Sequence, residues 1–173
     1  SQAYGLSFTP GTWVESIQIT KGAGSVVNGY ESISGQINTE LIKPMKDIPF
    51  FLNAYGATDS RFELNAHFNK RVSDYWSTSL FVHGNTRVAK NDMNDDGFLD
   101  NPLGKQINLT NRWQYANPES GWVTFLNLRY MKDDKQSGEI HFDPDRDKLT
   151  TKYWGSEITT ERIDFTSKAG YVF

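Results

Sequence analysis

The chain has 173 residues, 37% of them hydrophobic and 14% aromatic, and a formal net charge of −3. Its 18 basic residues are scattered rather than gathered into a stripe, which removes the electrostatic basis for nucleic-acid binding. With no cysteine, neither a disulfide framework nor a thiolate metal site is possible.

No apolar run approaches the ~20 residues of a membrane-crossing helix. A mean hydropathy of −0.60 would ordinarily indicate a soluble protein. A membrane β-strand, however, needs apolar residues only at alternate positions, so this average does not discriminate.

In chain order, the first element is a short alternating strand over 16–20. It runs into a loop carrying Gly22, Gly24, Gly29 and Gly35, and a second alternating stretch over 36–42 stops at Pro44. Glycines so placed let the backbone turn sharply and lie close to a neighbouring surface. From Pro49 onward the texture changes to strands of roughly ten residues separated by breaks. Phe50, Leu52 and Ala54 share one face of the first. In the second, Phe62, Leu64, Ala66 and Phe68 oppose Arg61, Glu63, Asn65, His67 and Asn69, an almost complete separation of faces.

The third strand, 76–88, sets Thr78, Leu80 and Val82 against a polar face interrupted by Phe81. The fourth sets Ile107, Leu109, Trp113 and Tyr115 against Gln106, Asn108, Thr110, Arg112 and Gln114. The fifth sets Trp122, Leu126, Leu128 and Tyr130 against Asn127 and Arg129, with Phe125 interrupting. The sixth sets Ile163, Phe165, Ala169 and Tyr171 against Arg162, Asp164, Thr166 and Lys168. A period of 3.6 does not collect these apolar residues, so a helical reading fails. Aromatic residues gather at strand ends, as amphipathic rings do where hydrocarbon meets lipid headgroups. The connections near Arg71–Asp74 and Ala116–Gly121 are short, and those over 89–105 and 131–161 are expected to be long loops.

The ordered set Glu15, Ile17, Ile19, Gly22, Ser25, Gly29, Gly35, Ile37 and Asn38 resembles the end of the plug domain in TonB-dependent outer-membrane receptors. The run Gly97–Trp113 is similar to receptors of that family from Bacteroidetes-type bacteria. The resemblance implies an all-β chain. Residues 1–44 would be the C-terminal part of a plug, and 45–173 the first strands, about six, of a transmembrane antiparallel β-barrel. Glu15, Gly22, Ser25, Gly29, Gly35 and Asn38 carry the plug motif.

It also implies a bacterial outer-membrane location and active uptake of a scarce ligand such as a siderophore, haem, cobalamin or a glycan. The partners would be outer-membrane lipid, an extracellular small ligand, and TonB through a segment not in this chain. Since barrel diameter grows with strand number, six strands cannot close around a plug, and a protein several times longer is expected. A different class remains open: a secreted or periplasmic calcium-bound β-sandwich that binds a glycan or a protein partner.

The discrete candidate site is the run 92–100. Asp92, Asn94, Asp96 and Asp100 stand at relative positions 1, 3, 5 and 9, with the Phe98 carbonyl at 7 and Gly97 at 6, where a calcium loop turns. Position 12 is Leu103 rather than a bidentate Glu. The alternative to Ca²⁺ is a solvated acidic loop with an Asp-Gly turn. Asp143–Asp147, with Asp133 and Asp134, forms a second acidic cluster of the same kind. His67 and His83 lie on the polar faces of adjacent strands, where they read as hydrogen-bonding groups. No nucleophile–base–acid set is present, so no enzymatic activity is expected.

Overall fold

The computed structural model describes residues 8–23, 34–45 and 48–172. A 3₁₀ turn at Gly11–Trp13 leads into β1 (Val14–Lys21), which pairs antiparallel with β2 (Gly35–Leu41) as a two-stranded sheet. The second sheet is a meander of β3 (Phe50–Gly56), β4 (Arg61–Arg71), β5 (Trp76–Arg87), β6 (Leu103–Asn117), β7 (Trp122–Gly138) and β8 (Gly155–Tyr171). Every neighbour in it is antiparallel and consecutive in sequence, and among the described residues β3 and β8 each keep one open edge. Among the described residues the chain is thus mostly β, in antiparallel sheets of two and six strands, which form no closed barrel.

Short polar turns set the registers. Asn117 Oδ1 accepts the amides of Glu119 and Ser120, and Gly121 takes φ +72°, so 118–121 reverse the chain tightly between β6 and β7. Between β4 and β5, Arg71 donates to the Ser73 and Asp74 carbonyls. Along the strands, the faces anticipated from alternation are the faces observed, but their burial is reversed relative to a water-soluble sheet. Asn65 and Asn108 are 1% and 0% exposed, and Ser77, Ser79, His83, Gln106 and Thr110 are buried beside them. On the opposite face Ile163 and Phe165 are 74% and 70% exposed, and Phe50, Leu52, Phe62, Phe68 and Leu128 are also exposed.

Polar residues on the outward, apolar face bond among themselves. Asn111 donates to Thr78 Oγ1 at 3.3 Å and to the Ser79 carbonyl at 3.1 Å, and accepts from Trp113 Nε1 at 2.7 Å. At the short-turn end of this face the aromatic rings meet: Trp76 with Tyr115 at 5.1 Å, Trp76 with Trp113 at 6.2 Å, and Trp122 with Tyr171 at 5.3 Å.

The other end departs from expectation. Residues 131–138 and 155–161, anticipated as loop, continue β7 and β8 as a paired ladder up to Gly138–Gly155. β6 likewise begins at Leu103 rather than after 105. Here outward positions such as Lys132, Asp134 and Glu161 are charged, so the alternation that marks a half-buried strand disappears while main-chain pairing persists. The connection over 139–154 holds a one-turn helix, α1 (Pro144–Asp147), and folds back on the outward face. The Phe142 ring packs where a Cβ on Gly155 would sit, within 2.1–2.6 Å, and Gln136 Nε2 donates to the Phe142 carbonyl at 3.0 Å.

Gly155→Ala should therefore displace a buried ring and cost about 1–3 kcal/mol of local order. Hydrogen exchange of the full-length protein should show faster exchange across 139–154, with the amides of β5 and β6 unchanged.

Candidate functional site

The buried polar face acts as a seat for the N-terminal segment. Asn108 Nδ2 donates to the Phe8 carbonyl at 2.6 Å, Arg129 Nη2 donates to the same oxygen, and Arg129 Nε donates to Asn108 Oδ1 at 3.0 Å. Arg112 Nη1 donates to the carbonyls of Leu41 (3.0 Å) and Ile42 (3.2 Å), while its guanidinium lies 5.0 Å from the Phe125 ring centre. Trp13, 1% exposed, packs against Phe81 at 5.4 Å and meets His83 edge-on at 6.4 Å. The two docked ends are tied together where the Ile42 amide donates to the Trp13 carbonyl at 3.0 Å. The two aromatics that interrupt the polar strand faces, Phe81 and Phe125, are thus what the docked segment and its arginine rest on.

Beyond Trp13 the face is closed by a side-chain network. His83 Nδ1 lies 2.7 Å from Asn65 Oδ1, and its Nε2 lies 2.9 Å from Gln106 Oε1 and 3.0 Å from Asn85 Nδ2. Asn65 donates to Glu63 at 2.9 Å, and Gln106 donates to Asp133 at 3.1 Å. Arg61 and Lys135 pair with the terminal carboxylates, Glu63 at 2.9 Å and Asp133 at 3.0 Å. Buried polar groups are tolerated when each finds such partners. His67 lies between two rings, stacked on Phe51 at 4.9 Å and tilted against Phe81 at 5.6 Å. Asn108, which begins an Asn-Leu-Thr glycosylation pattern, is fully buried and out of reach of any such modification.

The residues that carry the resemblance noted in the sequence lie around the β1–β2 hairpin. Glu15 and Glu40 both reach Lys43 Nζ at 3.6 Å. Gly22, at φ +86°, leaves β1, and its amide donates to the Ser34 carbonyl at 3.1 Å. Gly35 opens β2 with the Thr20 carbonyl oxygen 3.0 Å from where a Cβ would stand, a close approach that suits glycine. Asn38 donates to Gln18 at 3.3 Å. Ser25 and Gly29 lie outside the described residues.

In the 92–100 loop the carboxylates turn on their own backbone. Asp92 accepts the amides of Asp96 (3.1 Å) and Gly97 (2.8 Å), Asp96 accepts that of Phe98 (2.8 Å), and Asp100 accepts that of Met93 (2.8 Å). Asn94 donates to Asp96 at 2.9 Å, and Asp95 and Gly97 take φ +55° and +83°. Among the described residues no three His, Cys, Asp or Glu side chains gather into a group able to hold a metal ion. The loop docks on the β7–β8 connection, with Leu99 donating to Gly138 and Ile140 donating to Gly97. In the second acidic cluster, Asp143 caps α1 by accepting the Asp145 amide at 3.0 Å. Arg146, at 2.9 and 2.7 Å, holds the Asp147 carboxyl down to about 2.

The sequence reading placed Asn108, Arg112 and Arg129 on the polar face but did not single them out as docking groups, and it gave Trp13 no role. The available signal was an apolar ring set among polar positions. Comparisons with protein-family models, with curated proteins and with solved structures found no match to this chain.

Arg112→Ala would orphan the Leu41 and Ile42 carbonyls and should weaken docking by roughly 2–4 kcal/mol. The expected result in the full-length protein is faster amide exchange at Ile42 and Trp13, with the six-stranded sheet intact. Asp92→Ala should cost about 1–2 kcal/mol of loop order, read as accelerated exchange at the Asp96 and Gly97 amides alone.

Proposed function

We propose that this chain forms the end of the plug and the first barrel strands of a TonB-dependent outer-membrane receptor, which takes up a scarce extracellular ligand such as a siderophore, haem, cobalamin or a glycan. The observation that carries the reading is the reversed sheet. Its apolar face is bare, and its polar face is buried beneath a docked segment of the same chain. A water-soluble β-sandwich would turn the apolar faces inward, so the reversal favours the receptor over that alternative.

The dimensions agree with a hydrocarbon contact. The apolar run on β6 from Ile107 to Tyr115 spans eight residue steps. At ~3.4 Å each this is about 27 Å along the strand, and about 20 Å high at a tilt near 40°. Outer-membrane barrels carry an outward apolar band ~25 Å tall, flanked by aromatic girdles. On this reading the Trp76, Trp113, Tyr115, Trp122 and Tyr171 rings form the girdle at the periplasmic side. The β5–β6 and β7–β8 extensions then stand above the outer surface. The open edges of β3 and β8 are continued by further strands, because unpaired backbone N–H and C=O groups cannot face lipid.

Uptake then follows from how the segment is held. Among the described residues its contacts with the wall include hydrogen bonds to the Phe8, Leu41 and Ile42 carbonyls, the buried Trp13 indole and Lys135 over the Phe8 ring. A pull from the periplasm, transmitted by TonB through a segment outside this chain, breaks them one at a time. Gly22, at φ +86°, and Gly35, close against the Thr20 carbonyl, let the described part of the segment turn tightly while docked. No catalytic step enters this account.

The test is a pair of substitutions on opposite faces. Leu128 is exposed, central in its band and outward; Leu128→Arg should impair outer-membrane assembly by roughly 2–4 kcal/mol. Thr166→Arg, inward on β8, should assemble normally. Heat-modifiable migration and outer-membrane fractionation of the full-length variants measure the difference. Equal behaviour of the two, or a wild-type protein that stays soluble without detergent, would refute the reading.

A further inference from the structure

Between the docked segment and the inner face of β6–β8 lies a cavity of about 300 Å³. Its walls include Trp13, Thr110, Asn127, Arg129, Arg162 and Asp164. At ~30 Å³ per water it has room for a small solute with several waters. Three buried polar atoms on its lining find no partner: Trp13 Nε1, Thr110 Oγ1 and Asn127 Oδ1. The residues carrying the first two are 1% and 3% exposed, so bulk water does not satisfy them.

We propose that this cavity binds a small free oxyanion, of the class of phosphate or a simple carboxylate, at the seam between segment and sheet. The charge balance comes first. Arg162 is neutralised by Asp164 at 2.8 Å. Arg129 faces neutral acceptors, Asn108 Oδ1 and the Phe8 carbonyl, and makes no ion pair within 4.0 Å among the described residues. The lining therefore carries one uncompensated positive charge. A guanidinium has five N–H donors, and those two bonds leave three for a ligand. The donor geometry comes second: the indole N–H, the threonine O–H and the guanidinium line one cavity from different elements, and they suit an acceptor-only ligand with several oxygens. The Asn127 amide, its oxygen unpartnered, can present its NH₂ by turning over.

An anion here would bridge Trp13 of the segment to Thr110 and Arg129 of the wall, so its occupancy would set how firmly the segment is held. This does not depend on what surrounds the outward face or on which ligand the protein transports.

The experiment uses purified full-length protein, titrated with inorganic phosphate and with formate against sodium chloride at matched ionic strength. It reads melting temperature and calorimetric heat. Millimolar binding is expected, on the scale of one charge-assisted contact set in a partly open cavity, with a dose-dependent rise in melting temperature by mass action. Arg129→Gln should weaken it at least about tenfold. Trp13→Phe, which keeps a ring against Phe81 but deletes the N–H, should weaken it about three- to tenfold. Arg87→Gln, remote from the cavity, should leave it unchanged. The proposal is overturned if neither anion gives a shift beyond chloride. It is equally overturned if Trp13→Phe, folded as judged by circular dichroism, binds as tightly as wild type. In either case the cavity holds water alone.

Discussion

Burying the polar side of a sheet obliges each inward donor and acceptor to find a partner, and most of this molecule's arrangement follows from that obligation. A buried amide or imidazole left unpaired costs on the order of 1–3 kcal/mol. The inner face answers with a chain of contacts from Arg61 and Glu63 through Asn65, His83 and Gln106 to Asp133 and Lys135. Where that chain stops, the docked segment takes over by offering its own carbonyls, those of Phe8, Leu41 and Ile42, to Asn108, Arg129 and Arg112. Wall and segment are therefore not independent parts. The segment covers part of the sheet's polar face, and its exposed two-stranded hairpin, with Ile17, Ile19 and Ile37 exposed, has little apolar burial of its own.

The outward face obeys the complementary constraint. It presents Leu, Ile and Phe across its middle and rings at one end, and its few polar side chains, such as Asn111, bond to their neighbours rather than to a partner elsewhere. Under the proposed function both constraints have one origin. Hydrocarbon outside accepts no hydrogen bonds, and a polar interior is the place where a removable segment can be held by contacts that break individually. The seam cavity fits the same picture, since Trp13 Nε1, Thr110 Oγ1 and Asn127 Oδ1 meet there without a protein partner.

Much of the architecture was legible from alternation alone. The six strands, their facing and the short polar turns follow from period-two patterning, because a half-buried strand must segregate its side chains. Patterning failed where both faces are polar. Residues 131–138 and 155–161 read as loop yet form a ladder, because main-chain pairing does not require an apolar face. The 92–100 run carries contacts that spacing does not specify. Its oxygen spacing is consistent with ion binding, but the spacing alone does not reveal that Asp92 and Asp96 bond their own loop amides. The docking residues were harder still. Arg112 and Arg129 look like any inward cation, and what separates them is the backbone of a segment some seventy to one hundred and twenty residues earlier.

The order of residues by itself determined the six strand cores, which side chains share a face, where the short turns reverse the chain, and that no thiol chemistry is available, because these depend on local geometry and composition. Only the tertiary structure decided which face is buried, since the same alternation serves a soluble sheet and an inverted one. It alone seated Trp13 between Phe81 and His83, turned Phe125 into a platform for Arg112, and set Arg129 in the wall of the seam cavity. Those outcomes depend on contacts between distant segments, whose partners no local pattern specifies.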